Sequence, residues 1–155
     1  MESGSTALRI LIDADGCPVV NITIKIAKAH GLECFLLCDT SHYFERDGAE
    51  TITVSKGADS VDFALVNMVR AGDIVVTQDY GLAAMCLARR AVPISQDGMV
   101  YSDENIGSLL EQRHMAKKAR QSGERISGPR KRTDEQDAKF AAILNELLIG
   151  ITKVI

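Results

Sequence analysis

The chain has 155 residues, of which 46% are hydrophobic and 25% charged, and a formal net charge of −3. That is room for one domain with a full core and too little for two. No apolar run approaches the roughly 18 residues of a membrane span. The polar start over residues 1–6 lacks the basic and apolar regions of a signal peptide. The expectation is therefore one cytoplasmic domain over residues 1–155, with a flexible tail over residues 1–7 and no membrane partner.

The first element is the run Leu-Arg-Ile-Leu-Ile over residues 8–12, broken only by Arg9. It reads as a buried strand of a parallel sheet. It stops at Asp13 and Asp15, then Gly16, then Pro18, which suits the first turn of a helix. Ligands of open α/β sheets bind at the carboxyl ends of strands, where these two acids fall. The plainer alternative is a turn at Asp15-Gly16 with Asp13 as a solvated loop residue. Residues 19–29 carry Val19, Ile22, Ile26 and Ala29 at helical spacing, and Gly31 stops them as a C′ residue would. Residues 34–38 are a second buried strand, ending at Asp39, and residues 51–54 a short third one.

Residues 56–62 open a second helix whose apolar side is Val61, Leu65, Val66, Met68 and Val69. Asp59 and Asp62 are three apart and share one face of its first turn. Gly72-Asp73 turns the chain into a β-branched strand over residues 74–77, and Asp79 follows it, as Asp13 follows the first strand. Residues 82–89 read as a helix and 92–95 as a fifth strand. A further helix is capped by Ser102 or Asp103 and runs to about Arg120, with Ile106, Leu109, Leu110 and Met115 inward. Residues 121–132 read as a basic mobile linker. Thr133 and Gln136 make a capping box for a last helix with Phe140, Ile143, Leu144, Leu147 and Leu148 on one side. The alternation predicts an α/β fold in three layers, with a mostly parallel sheet of about five strands and right-handed crossovers.

The four cysteines lie in or beside apolar segments and read as reduced core thiols. Cys17 is set apart, because a thiol at a helix N-terminus is acidified. Charge is unevenly spread. Residues 113–132 hold eight basic residues against one acid, a local charge of +7, while the other 10 basic and 20 acidic residues leave −10. An acidic body beside a basic segment suits metal-binding carboxylates next to a polyanion-binding arm.

If the first and fourth strands are neighbours, Asp13 and Asp79 stand side by side. The helix that follows the third strand starts at the same edge, so Asp13, Asp15, Asp59, Asp62 and Asp79 converge there. Crowded carboxylates need protons or a cation. Mg²⁺ or Mn²⁺, hard cations with oxygen ligands, are the natural partners. Two such ions about 4 Å apart activate a water and stabilise the leaving oxygen of a phosphodiester.

Four stretches give the chain a specific resemblance. They are Ile-Asp-Ala-Asp-Gly-Cys-Pro-Val (12–19), Ala-Asp-Ser-Val-Asp-Phe (58–63), Val-Val-Thr-Gln-Asp-Tyr-Gly-Leu-Ala (75–83) and Gly-Pro-Arg-Lys-Arg-Thr (128–133). Together they resemble the bacterial YaiI/YqxD family, a relative of the PIN-like nucleases, over residues 9–148. The resemblance implies a PIN-like αβα domain with an acidic metal pocket and ribonuclease-type chemistry. Asp13 then matches the first-strand acid, Asp59 or Asp62 the mid-chain helix acid, and Asp79 the acid after Val-Thr. Such nucleases often carry a further acid in the helix after the first strand. That helix has none here; either Asp15 substitutes for it or catalysis is weak or absent.

The expected function is a Mg²⁺- or Mn²⁺-dependent nuclease, acting on RNA before DNA. Asp13, Asp15, Asp59, Asp62 and Asp79 are its catalytic set, and Asp13, Asp15, Asp62 and Asp79 its metal ligands. Arg113, Lys117, Lys118, Arg130, Lys131 and Arg132 are the phosphate-binding residues. Two alternatives stand beside it. One is a non-catalytic nucleic-acid-binding protein. The other is a haloacid-dehalogenase-like phosphatase, whose opening motif Asp13-x-Asp15 also resembles. Self-association into a homo-oligomer is compatible with all three.

Overall fold

The computed structural model describes residues 8–40, 45–57, 60–123 and 131–154. Strand β1 (Arg9–Asp13) is buried along all but its last residue, because both of its faces are covered. On either side of it lie β2 (Glu33–Asp39) and β4 (Ile74–Val76), with β3 (Glu50–Val54) and β5 (Val92–Ile94) at the edges. The sheet order is β3-β2-β1-β4-β5 and every pairing is parallel. The expected parallel α/β sheet is therefore present, with the first and fourth strands adjacent: Ile12 pairs with Val76.

Side-chain alternation along β1 sets the layers. Ile10 and Ile12 point into a core shared with α1 (Val20–Ala29) and α5 (Asp134–Val154), which supplies Phe140, Leu144 and Leu148. Leu11 points the other way, among Leu65 of α2 (Ser60–Met68) and Leu82 and Cys86 of α3 (Tyr80–Ala88). Helix α4 (Ile106–Gln121) packs on α3. Among the described residues, no helix is long and apolar enough to cross a membrane.

Arg9, the one break in the first apolar run, is buried with a dedicated partner. Its Nη2 donates to Asp73 Oδ2 at 2.6 Å and to the Met68 carbonyl at 2.9 Å, and its Nε reaches Asp73 Oδ1 at 3.2 Å. The guanidinium also lies 5.6 Å from the centre of the Phe35 ring. Asp73, placed in a turn by the sequence, is 2% exposed and fixes the start of β4 against β1. A buried charge is tolerable only when so paired and hydrogen-bonded.

Three helices differ from the sequence expectation. The buried face of α1 is Val20, Thr23, Ile24, Ile26 and Ala27, while Ala29 is exposed and Ile22 half-buried. Packed against both the sheet and α5, it buries a broader stripe than one-sided packing would. Thr23 enters the core because its hydroxyl donates to the Val19 carbonyl at 2.7 Å. The helix ends as expected at Gly31 (φ 68°): Leu32 N–H bonds the Ala27 carbonyl and Gly31 N–H that of Lys28. Helix α4 starts at Ile106, since Ser102 and Asn105 cap each other one turn earlier, with N···O distances of 2.9 and 3.3 Å. It buries no residue fully. Leu110 and Met115, expected inward, are 37% and 57% exposed, because α4 lies on α3 and not on the sheet. Helix α3 starts at Tyr80, two residues early, because Asp79 caps it. The capping box of α5 is present, with Thr133 N–H on Gln136 Oε1 at 2.8 Å and Gln136 N–H on Thr133 Oγ1 at 3.3 Å.

Candidate active site

The strand order reverses direction between β1 and β4, and a crevice opens beyond their carboxyl ends at such a point. Asp13 closes β1 at this place, and Thr77 follows β4 beside it. The Thr77 hydroxyl donates to Asp13 Oδ2 at 2.8 Å and accepts the Asp79 N–H at 3.0 Å. Its proton thus has one direction, and it sets the orientation of the carboxylate. The Thr77 backbone is held as well: its N–H bonds the Ile94 carbonyl at 3.1 Å, and its carbonyl accepts the Tyr101 hydroxyl at 3.1 Å. Tyr101 packs edge-on against Tyr80, with ring centres 5.9 Å apart.

Asp15 sits beyond β1 in a turn that Gly16 completes at φ 71°, a left-handed value that glycine adopts without strain. Asp15 Oδ2 accepts the Asp39 N–H at 3.2 Å, which ties the ends of β1 and β2 together. Asp13, Asp15, Cys17, Thr77, Gln78 and Gln96 line a pocket of about 50 Å³. Asp79 and Asp62 line a wider cleft of about 360 Å³ with Phe63, Leu82, Met85 and Arg113. Asp79 caps α3 by accepting the Leu82 N–H at 3.1 Å, and Arg113 Nη1 stands 3.4 Å from the same oxygen.

Of the five expected acids, four are described, and they divide between these two neighbouring depressions. Asp59 lies outside the described residues. Among the described residues, no three His, Cys, Asp or Glu stand together closely enough to surround one ion. The acids nevertheless act on one another. Burial pushes the Asp13 carboxyl up to about 6, and the negative charges of Asp79 and Asp15 add to it, against the opposing Thr77 hydrogen bond. Cys17 is not acidified. It precedes α1 by three residues, and burial pushes its thiol up to about 11, with Asp13 opposing ionisation further.

The basic residues also part company. Arg113, Lys117, Lys118 and Lys131 are exposed, and Arg130 lies outside the described residues. Arg132 is committed elsewhere. Its Nη1 bonds Asp97 Oδ1 at 3.0 Å, its Nη2 the Gln96 carbonyl at 2.6 Å, and its Nε the Asp137 carboxylate. It fastens the loop after β5 to the first turn of α5 instead of facing solvent within a mobile linker. Three site residues carry no strong sequence signal: Thr77 is one more β-branched strand residue, and Gln78 and Gln96 are single polar loop residues. Gln78 Oε1 accepts the Gln96 N–H at 2.8 Å, bridging the loops after β4 and β5.

Comparison with known proteins places the chain in a family. A family model described as "Uncharacterized BCR, YaiI/YqxD family" matches residues 11–150. A UPF0178 protein of Exiguobacterium sibiricum is 53% identical over 141 residues, covering 91% of this chain and 96% of that protein. A second, from Clostridium acetobutylicum, is 44% identical over 144 residues, covering 92% and 97%. A third, from Ruminiclostridium cellulolyticum, is 48% identical over 137 residues, covering 88% and 90%. With a family model spanning nearly the whole chain and relatives matched along almost their full length, the chain belongs to the YaiI/YqxD family.

Proposed function

We propose that the protein is a Mg²⁺- or Mn²⁺-dependent phosphodiesterase that cuts nucleic acid, RNA before DNA, in the manner of the PIN-like nucleases it resembles. One observation carries this: at the switch point of the sheet Asp13 and Asp15 line one small pocket, and Thr77 ties Asp13 to the Asp79 backbone beside it. Such a site favours a cation over solvent. Mg²⁺ keeps several waters and takes one or two carboxylates. The pair Asp13 and Asp15, lining one small pocket, fits that demand. Asp62 and Asp79 would complete the shell through water or from the adjoining cleft. A bound ion there would supply Lewis acidity and an activated water.

The chain's own residues do the rest. The Thr77 hydroxyl holds the Asp13 carboxylate in one orientation, and the Asp15 carboxylate is anchored by the Asp39 amide. Arg113, more than half exposed, presents a guanidinium beside Asp79 where a phosphate would approach. The exposed Lys117 and Lys118 extend that cationic edge along α4. The same exposed row is what a non-catalytic nucleic-acid-binding protein would use.

A fluorescent single-stranded RNA incubated with Mn²⁺ and resolved on a gel decides the matter. Wild type should cut it, chelator should stop the reaction, and Asp13→Asn should lower the rate by at least 100-fold, on the order of 3 kcal/mol of lost stabilisation. Asp79→Asn should also abolish cutting while binding is kept. RNA bound but left intact by wild type selects the binding protein. Turnover of p-nitrophenyl phosphate that fails with Asp13→Asn, without cleavage of RNA or DNA, selects the phosphatase.

A further inference from the structure

Phe63 is 61% exposed, the most exposed large hydrophobic residue among those described. It stands on α2 next to Asp62, on the wall of the 360 Å³ cleft that also holds Asp79 and Arg113. Across that cleft, Met85 of α3 is 37% exposed, and buried Leu82 forms part of the lining. A large ring in water needs an explanation when it borders a concave site.

We infer that Phe63 is a base-stacking platform: the cleft takes one unpaired nucleotide of the bound strand, its base on the Phe63 ring and its phosphate on Arg113. This rests on the nuclease reading for its location and not for its chemistry. Charge and shape choose the occupant. An apolar helix of a partner protein would draw the charges of Asp62, Asp79 and Arg113 out of water, which is costly. A nucleotide matches the ring, the thioether and the guanidinium of the lining. Its base offers a π-face to Phe63 and a polarisable contact to Met85. Its phosphate competes for Arg113, whose pairing with Asp79 is long, at 3.4 Å, and more than half exposed on the arginine side. Exposed pairs of that kind contribute little and exchange readily. The volume lies in the range of small-ligand clefts. A base inside a duplex has no free face, so the subsite discriminates against paired strands.

The test is fluorescence anisotropy on the full chain in EDTA, so that its outcome does not depend on cleavage. The probes are a labelled ten-nucleotide oligo-U and the same strand with abasic sites throughout. Phe63→Ala should weaken oligo-U binding by about 5- to 100-fold, the range for loss of one base–aromatic stack. Phe63→Trp should restore it, and neither variant should change binding of the abasic strand. Arg113→Ala should weaken both probes alike. A matching DNA strand distinguishes deoxyribonucleotide from ribonucleotide occupants, both of which stack. Equal affinities of wild type and Phe63→Ala for oligo-U would overturn the proposal, as would a wild type that binds no oligonucleotide. So would a Phe63→Ala change confined to sedimentation mass, which would place a second copy of the chain on this face. If base-dependent binding holds and Mn²⁺ cleavage is absent, the subsite stands and only the nuclease reading falls.

Discussion

Asp13 closes β1 with three influences on one carboxyl: burial, two neighbouring acids and a threonine hydroxyl. Its ordinary value is 3.8, and in the fold it rises to about 6. Between those values the folded chain holds a proton that the unfolded chain has released. Stability without metal must therefore fall as pH rises from about 4 to 6, and the penalty is complete above the folded value. At 1.36 kcal/mol per unit the penalty is roughly 1 to 3 kcal/mol. Urea unfolding in EDTA should show wild type losing that stability over this window relative to Asp13→Asn, which should be the more stable protein at pH 7. A difference between the two that does not vary with pH would mean that Asp13 titrates normally. Asp13 and Asp79 are legible in the sequence because each follows an apolar strand. Thr77, which orients one and bonds the amide of the other, is not, since nothing local marks a hydroxyl whose partner is 64 residues away. Arg9 and Asp73 escape for the same reason: one reads as an interruption and the other as a turn, and only the pairing of β1 with β4 makes them one unit.

Strand positions follow from the sequence to within a residue or two, because period and length speak directly to them. Helix faces do so less well. Apolar spacing along α4 defines a stripe at Ile106, Leu109, Leu110 and Met115 but does not say what covers it, and α3 covers only part. Arg113, Lys117 and Lys118 of the same helix are exposed, whereas Arg132 is already engaged by two carboxylates and a carbonyl. The salt dependence of RNA binding should therefore respond to α4 more than to Arg132. Replacing Arg113, Lys117 and Lys118 together by Ala should reduce the log–log slope by roughly 2 to 3 units, near 0.7 to 0.9 for each phosphate no longer neutralised. Arg132→Ala should leave the slope nearly unchanged and lower the melting temperature instead. A slope that drops with Arg132→Ala and not with the α4 variant would reverse these assignments.

At the scale of the molecule, the parallel order β3-β2-β1-β4-β5 brings the two strand-end acids to one edge of the sheet, in neighbouring depressions. What alternation cannot specify is how the last helix returns. Helix α5 covers the β1 face beside α1, and its first turn meets the loop after β5 through Arg132. That clasp should make the C-terminal helix and one wall of the pocket open together. The Gln96 amide bonds Gln78, and the Asp137 amide bonds the Thr133 carbonyl, at two places far apart in the chain. Native-state hydrogen exchange should show both amides with a common opening free energy. Arg132→Lys cannot reproduce three directed bonds and should speed both by a similar factor, about tenfold or more, since charge-assisted bonds are worth roughly 1.5 to 3 kcal/mol each. Acceleration at Gln96 alone would show two independent units. Linked exchange would mean that whatever grips or frays the C-terminal helix also loosens the floor beneath the acids.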